Sequence, residues 1–305
     1  MLLYPHVNMD GDTLGSSVAL CKAVRSMGKE CYVLIEDNIP NNLAFLDNNY
    51  CTFNQDVIEK PDISMCIDCG DIERFAMRKE KFLEGKITIC IDHHETTKPF
   101  CDFNYIDEKS AATGELIFKL LLEMKVKPDS EIGEAIFAAI TTDTGDYQYS
   151  NTTKESHLIT ASLYDWGIDG NKVSRQIYEN IRLEKMMIKN TALGTLSMVA
   201  NGKGAIAFVT QDMLRATGAT SDETEGIVDD MRNIRGVEIA AFLKEEDDKR
   251  IKISFRAKSN GDVSEIAAKH GGGGHKKAAG CTINESLLKA LELIKEEVIK
   301  NLEEL

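Results

Sequence analysis

The 305 residues, 43% hydrophobic and 28% charged, exceed one comfortable core yet keep an ordinary globular balance, which excludes disordered and low-complexity readings. Acidic residues outnumber basic ones 50 to 36, for a formal charge of -14, and this argues against a long duplex or a backbone-tracking nucleic-acid groove. No apolar run approaches the roughly 20 residues that span a bilayer, no secretory signal opens the sequence, and the eight cysteines lack framework spacing, so a reduced, cytoplasmic protein without a membrane partner is expected.

The chain begins on a buried strand, Leu2–Tyr4, followed by a helix whose apolar residues Leu14, Val18, Cys21 and Val24 recur at helical spacing. Residues 30–35, 63–67 and 87–91 read as further buried strands, and residues 73–83, 113–124, 131–142 and 154–165 as helices. Strands interleaved with helices predict a mostly parallel, doubly wound α/β sheet over residues 1–183. A polar helix over 182–199 reads as a connector, with the boundary placed in a linker at 184–196. Strands at 204–209, 237–244 and 250–256 then predict a smaller mixed α/β domain over 197–305, closed by an amphipathic helix at 285–305.

Three segments each follow a predicted strand and carry acids or histidines: His6-Val-Asn-Met-Asp10-Gly-Asp12, Asp68-Cys-Gly-Asp71 and Asp92-His93-His94. A fourth, Asp143-Thr-Gly-Asp146, follows an apolar helix. In an open α/β sheet the carboxyl ends of the strands share one crevice, so these groups converge there. The glycine between Asp10 and Asp12 permits a tight turn from which the two carboxylates diverge onto different ions. Two divalent cations roughly 3.5 to 4 Å apart polarise a phosphoryl group, supply a hydroxide and stabilise the leaving oxygen. The four carboxylates of Asp10, Asp12, Asp68 and Asp143 are balanced by two such ions, which lets an anionic substrate enter. Mixed imidazole and carboxylate donors favour manganese, with cobalt, iron or zinc as substitutes.

Each segment alone has a blander reading. A lone Asp-Gly-Asp is ordinarily a solvated turn, and paired histidines after a strand are ordinarily a turn or a cap. Their joint occurrence behind consecutive strands favours a metal site. An EF-hand fails because the glutamate position, counted from Asn8, is Ala19. Cys66-x-x-Cys69 lacks a second zinc half-site. In the second domain, Gly271 to Gly274 followed by His275 offers backbone N–H groups to an anion and is not a Walker A loop. A flexible turn is the alternative there, and Arg256, ending a predicted strand, is a candidate phosphate ligand.

On these residues the chain resembles the DHH phosphoesterase superfamily: HVNMDGDTLGS, DCGD, DHH and DTGD match its four motifs in order. GGGGHKKAAG matches the signature of the DHH-associated C-terminal domain. Within the superfamily the chain is most similar to the nanoRNase/pAp phosphatase group. The resemblance implies that His6, Asp10 and Asp68 hold one metal and that Asp12, Asp68, His93 and Asp143 hold the other, with Asp68 bridging. It places His94 near the phosphate and the leaving group, and Asp92 behind it as an orienting residue. Arg256 with Gly272, Gly273, Gly274 and His275 would grip the nucleotide's other phosphate or its base. Met9 stands where the family usually has proline, and Gln148 where many members carry an arginine.

The expected activity is a manganese-dependent, two-metal phosphoesterase acting on short oligoribonucleotides as an exonuclease and on 3'-phosphoadenosine 5'-phosphate. Alternatives are a phosphodiesterase for cyclic or linear dinucleotides such as c-di-AMP or pGpG, and a nucleotide-sensing module without catalysis. The sensor would show lost metal ligands, and none of the six positions is lost. A homodimer is allowed but not specified.

Overall fold

The computed structural model describes residues 1–127, 129–247 and 249–303, which form two compact units, Met1–Asn180 and Ile181–Leu305. In the first unit, β1 (Leu2–Tyr4), α1 (Gly11–Ser26), β2 (Tyr32–Leu34), β3 (Cys51–Thr52) and β4 (Ile63–Ile67) come first. They are followed by α2 (Lys79–Leu83), β5 (Ile87–Asp92), β6 (Phe103–Ile106), α3 (Thr113–Glu123), α4 (Ser130–Asp143), α5 (Lys154–Asp165) and α6 (Gly170–Tyr178). The strands make one parallel sheet in the order β3-β2-β1-β4-β5-β6.

Period-two alternation sorts the side chains of this sheet onto its two faces. Leu3, Val33, Met65, Ile67 and Ile91 pack under α1, α3 and α4, while Leu2, Tyr4, Leu34, Cys66 and Cys90 face Phe75 and Phe82 on the other side. With both faces covered, the strands need the continuous apolar runs seen in the sequence. The start of α1 lies against the end of α4: a Cβ on Gly11 would sit 2.4 Å from Thr142 Oγ1. That close approach brings the first turn of α1 beside Asp143.

The segment predicted as a helix over 73–83 is instead a 3-10 stretch, Ile72–Arg78, joined to the short α2. The reason is Phe75, which leaves helical geometry (φ -136, ψ 44) to bury its ring. It meets Tyr4 at 5.6 Å and Phe82 at 5.1 Å between centroids.

The second unit holds α7 (Leu183–Leu193), β7 (Ser197–Val199), β8 (Gly204–Val209), α8 (Gln211–Thr217), α9 (Ile227–Asn233) and β9 (Ile239–Asp247). β10 (Arg250–Ala257), α10 (Val263–Lys269), β11 (Gly273–His275), β12 (Ala278–Ile283) and α11 (Leu287–Glu303) complete it. Its mixed sheet runs β11-β12-β10-β9-β8-β7, with only the β8–β9 pair parallel among the described strands. α10 and α11 cover one face, where Ile239, Leu243, Ile253 and Phe255 meet Ile266, Ile294 and Val298. α7, α8 and α9 cover the other, where Ala205, Ala207 and Phe242 meet Ile188, Leu214 and Met231.

The connector expected over 182–199 is therefore two elements. α7 ends at Leu193, and Ile188 and Ala192 are buried in this unit's core. Thr195 Oγ1 donates to Ala192 O (2.7 Å) and accepts from Phe208 N (2.9 Å), turning the chain into β7. The last two residues of the helix expected over 285–305 lie outside the described residues.

Candidate active site

The chain runs outward from β1 to β2 and β3, then returns to the other side of β1 with β4 and β5. The carboxyl ends of β1 and β4 thus flank a topological switch point, where open α/β sheets bind their ligands. The three strand-end segments gather there. His6 follows β1, Asp10 is the N-cap of α1 and accepts from Thr13 N (3.0 Å), and Asp12 lies in that helix's first turn. Asp68 follows β4 in a left-handed backbone conformation (φ 55), its N–H donating to Ile91 O at 2.9 Å. Asp92 ends β5 ahead of His93 and His94, and Asp143 is the last residue of α4.

Three overlapping groups of donor atoms result; in one, Asp68 with His93 and His94, His94 Nδ1 lies 3.6 Å from Asp68 Oδ1, and the other two follow the expected ligand sets. His6 Nε2 lies 3.7 Å from Asp10 Oδ2 and 3.7 Å from Asp68 Oδ2. His93 Nε2 lies 3.7 Å from Asp12 Oδ2, 3.6 Å from Asp68 Oδ1 and 3.5 Å from Asp143 Oδ2. The two oxygens of Asp68 are divided between the groups. His93 Nε2 is buried and has no hydrogen-bond partner among the described residues. A buried polar atom left unpaired costs free energy, and these spacings are too long for hydrogen bonds. At 3.5–3.7 Å they are within about 0.1 Å of the spacing of donors sharing one cation, since ligand atoms about 2.0–2.2 Å from an ion stand roughly 3–3.6 Å apart. The residues present therefore fit divalent cations.

The rest of the site orients these donors. His6 Nδ1 faces Val7 O at 2.7 Å and His93 Nδ1 faces Ser110 O at 3.1 Å. In each ring a backbone carbonyl takes the Nδ1 proton and leaves Nε2 to the carboxylates. Asp12 accepts from Thr113 N (2.7 Å), Gly114 N (2.9 Å) and Ser16 Oγ (3.0 Å). It thereby caps α3, whose own N-cap, Ala112, has no side chain to do so. Thr113 Oγ1 donates to Asp68 Oδ1 at 2.9 Å. The fully buried Asp92 accepts from His93 N (2.8 Å) and Thr97 Oγ1, and its Oδ1 takes the Nδ1–H of His94 (2.8 Å).

Electrostatics point the same way. Burial, then the charges of Asp68, Asp143 and Asp10, pushes Asp12 well above the usual carboxylate range. Burial pushes Asp143 up to about 6, with Asp68 and Asp10 adding to it against the opposing pull of His93. Burial alone would lower His6, but Asp10 and Asp68 outweigh it and hold the ring at about 9. Hydrogen bonding to Asp92 raises His94. The crevice holds more negative charge than its own groups stabilise, the condition that bound cations relieve.

Thr113, Ser110 and Thr97 belong to this network without standing out in the sequence as acids or histidines do. The run Ser110-Ala-Ala-Thr-Gly114 ahead of an apolar helix carries the cap signature for two of them; Thr97 has no signal. In the second unit, Arg256 lies on β10, its Nε 3.1 Å from Asp229 Oδ1. The glycine run is not a loop: Gly273, Gly274 and His275 form edge strand β11, preceded by Gly272. Arg256 and His275 both pair with Ala278, one on either side, so the three residues stand in one row across the sheet.

The chain has relatives among known proteins. The profile of the DHH family, N-terminal domain, matches residues 1–140, and that of the DHHA1 domain matches residues 201–304. The chain belongs to the DHH family. It is 27% identical over 288 residues to the bifunctional oligoribonuclease and PAP phosphatase NrnA of Bacillus subtilis (strain 168), covering 93% of this chain and 89% of that one. The protein of the same name from Thermus thermophilus is 29% identical over 305 residues, covering 97% and 89%. The crystal structure of an exopolyphosphatase-related protein from Bacteroides fragilis superposes with a TM-score of 0.90 at 24% identity, over 98% of this chain and 91% of that one, which shows the shared fold. As a DHH-family member the chain is a phosphoesterase, a hydrolase of phosphate esters.

Proposed function

We propose that this DHH phosphoesterase hydrolyses short oligoribonucleotides and 3'-phosphoadenosine 5'-phosphate, using two divalent cations, manganese by preference. The observation that carries the reading is the division of the Asp68 carboxylate between two donor groups, one around His6 and one around His93. The names of the B. subtilis and T. thermophilus relatives support the substrate class. Mixed imidazole and carboxylate donors support manganese over magnesium. The eight free cysteines support a reducing, cytoplasmic setting.

His6, Asp10 and Asp68 would hold one ion, and Asp12, Asp68, His93 and Asp143 the other. When bound, the pair would supply Lewis-acid activation of water and of the phosphoryl group. The chain's own groups do the rest. Water adds to phosphorus, the P–O bond to the departing nucleoside breaks, and that oxygen leaves with a proton. His94 is the residue placed to give it: Nδ1 is tied to Asp92 and the ring is 44% exposed, so Nε2 is the nitrogen left for substrate. Replacing His94 with alanine should lower kcat by roughly 10²- to 10⁴-fold, the range for loss of a general acid, with a smaller change in KM. A pH–rate profile that keeps its alkaline limb in the variant would remove His94 from that role.

In the second unit, Arg256 with Gly272, Gly273, Gly274 and His275 would contribute nucleotide binding. Arg256→Ala should mainly raise KM, as steady-state kinetics would show; an unchanged KM would take Arg256 out of binding. The reading as a whole is tested by a panel of 3'-phosphoadenosine 5'-phosphate, pGpG, c-di-AMP and RNA of two to five and more nucleotides, assayed with Mn²⁺ and with a chelator. Short RNA and the bisphosphate should be turned over only with metal. Preference for c-di-AMP or pGpG, or tight nucleotide binding without release, would replace it.

A further inference from the structure

Beside His94 the first unit opens a cavity of about 470 Å³, lined by Arg74, Lys98, Phe100, Thr96 and Thr97 among others. Its charged lining is Arg74 and Lys98 with one carboxylate, Asp71, which is engaged as a cap by Glu73 N at 2.9 Å. Neighbouring basic side chains are neutralised: Arg78 pairs with Glu36 at 2.8 Å, Lys81 with Glu84 at 2.8 Å, Lys86 with Asp62 at 2.6 Å, and Lys79 with Glu73. Arg74 and Lys98 make no ion pair or side-chain hydrogen bond among the described residues, and both are exposed.

The walls are built in advance. Asn104 Oδ1 accepts from Phe100 N (3.1 Å) and Cys101 N (3.2 Å), and its Nδ2 donates to Cys101 O (2.7 Å). Thr97 is anchored on Asp92, and the Arg74 carbonyl accepts from Val7 N at 2.9 Å. Phe100 is 36% exposed, an aromatic surface of the kind on which bases stack. The volume falls in the range of small-ligand pockets, roughly 300–1,000 Å³.

We propose that this cavity receives the departing nucleotide, with Arg74 and Lys98 holding the phosphate at its far end and Phe100 lying against its base. The assignment rests on the phosphoesterase reading above, because His94 joins the cavity to the reacting phosphate. In that reading the leaving group is itself a phosphorylated nucleoside. For 3'-phosphoadenosine 5'-phosphate, the 3'-phosphate is cleaved and the 5'-phosphate of the departing adenosine 5'-monophosphate occupies the cation pair.

The test is calorimetric titration of the full chain, free of metal, with adenosine 5'-monophosphate and with adenosine. Wild type should bind the monophosphate about tenfold or more tightly, as expected when charge-assisted hydrogen bonds hold a phosphate. The double substitution Arg74→Ala, Lys98→Ala should erase that preference, and the charge-keeping pair Arg74→Lys, Lys98→Arg should retain most of it. In parallel, the Mn²⁺-loaded protein should show a kcat/KM ratio of 3'-phosphoadenosine 5'-phosphate to adenosine 3'-monophosphate that collapses in the alanine variant. No preference in wild type, or a preference that survives the alanine substitutions, overturns the subsite. Absence of turnover on every phosphoester would instead sink the phosphoesterase reading, and the titration would still decide the cavity.

Discussion

Asp68→Asn should lower kcat by at least about 10³-fold, at or beyond the loss seen when one charge-stabilising donor is removed from other active sites. The expectation rests on geometry: Asp68 Oδ2 faces His6 Nε2 at 3.7 Å and Oδ1 faces His93 Nε2 at 3.6 Å. One substitution therefore weakens both donor groups. Asparagine is the substitution to use because residue 68 has φ 55, a conformation that asparagine tolerates and alanine strains. The amide oxygen still accepts from Thr113 Oγ1, which protects the fold. Metal titration should show fewer than the two Mn²⁺ ions expected for wild type, with a nearly unchanged melting midpoint in chelator. Activity within tenfold of wild type would end the two-metal reading.

Asp143→Asn should stabilise the metal-free protein and deprive the loaded protein of activity. In the folded chain the Asp143 carboxyl is pushed up to about 6 from its ordinary 3.8; among the described residues its side chain accepts no hydrogen bond, and its near neighbour is His93 Nε2 at 3.5 Å. A carboxyl raised on folding binds more protons folded than unfolded between those values, so stability falls as pH rises from about 4 to 6 and stays low above. At pH 8, in chelator, the asparagine variant should be more stable by roughly 1–3 kcal/mol. It should also lose the part of the acid-side gain that wild type shows. Mn²⁺ at a hundredfold excess over Kd should add about 2.7 kcal/mol for each ion held, so the variant, which keeps only the His6 group intact, gains less than wild type and its advantage shrinks or reverses. Urea denaturation with and without metal checks both signs; a variant less stable than wild type in chelator would show that Asp143 is not under electrostatic strain.

Much of this site was legible because its donors follow strands. His6, Asp68 and His93 each stand one or two residues beyond a short, continuous apolar run that reads as a buried strand, and neighbouring parallel strands place such positions together. Asp143 was legible as the end of an apolar helix. What the sequence did not disclose depends on contacts set by packing. Phe75 breaks a helical pattern to reach Tyr4, the glycine run that reads as a loop becomes an edge strand beside β12, and Thr97 turns to Asp92 with nothing in its neighbours to announce it. Arg74 and Lys98 look like surface charges until their carboxylate-paired neighbours are seen.

The capping of α3 by Asp12 has one more consequence. The amides of Thr113 and Gly114 hang on a carboxylate that also faces the cation crevice, and the hydroxyl of the same Thr113 holds Asp68. Loading of the crevice and fraying of that helical turn are thus opposite ends of one lever. Deuterium uptake at the opening of α3 becomes a gauge of occupancy, readable without any substrate.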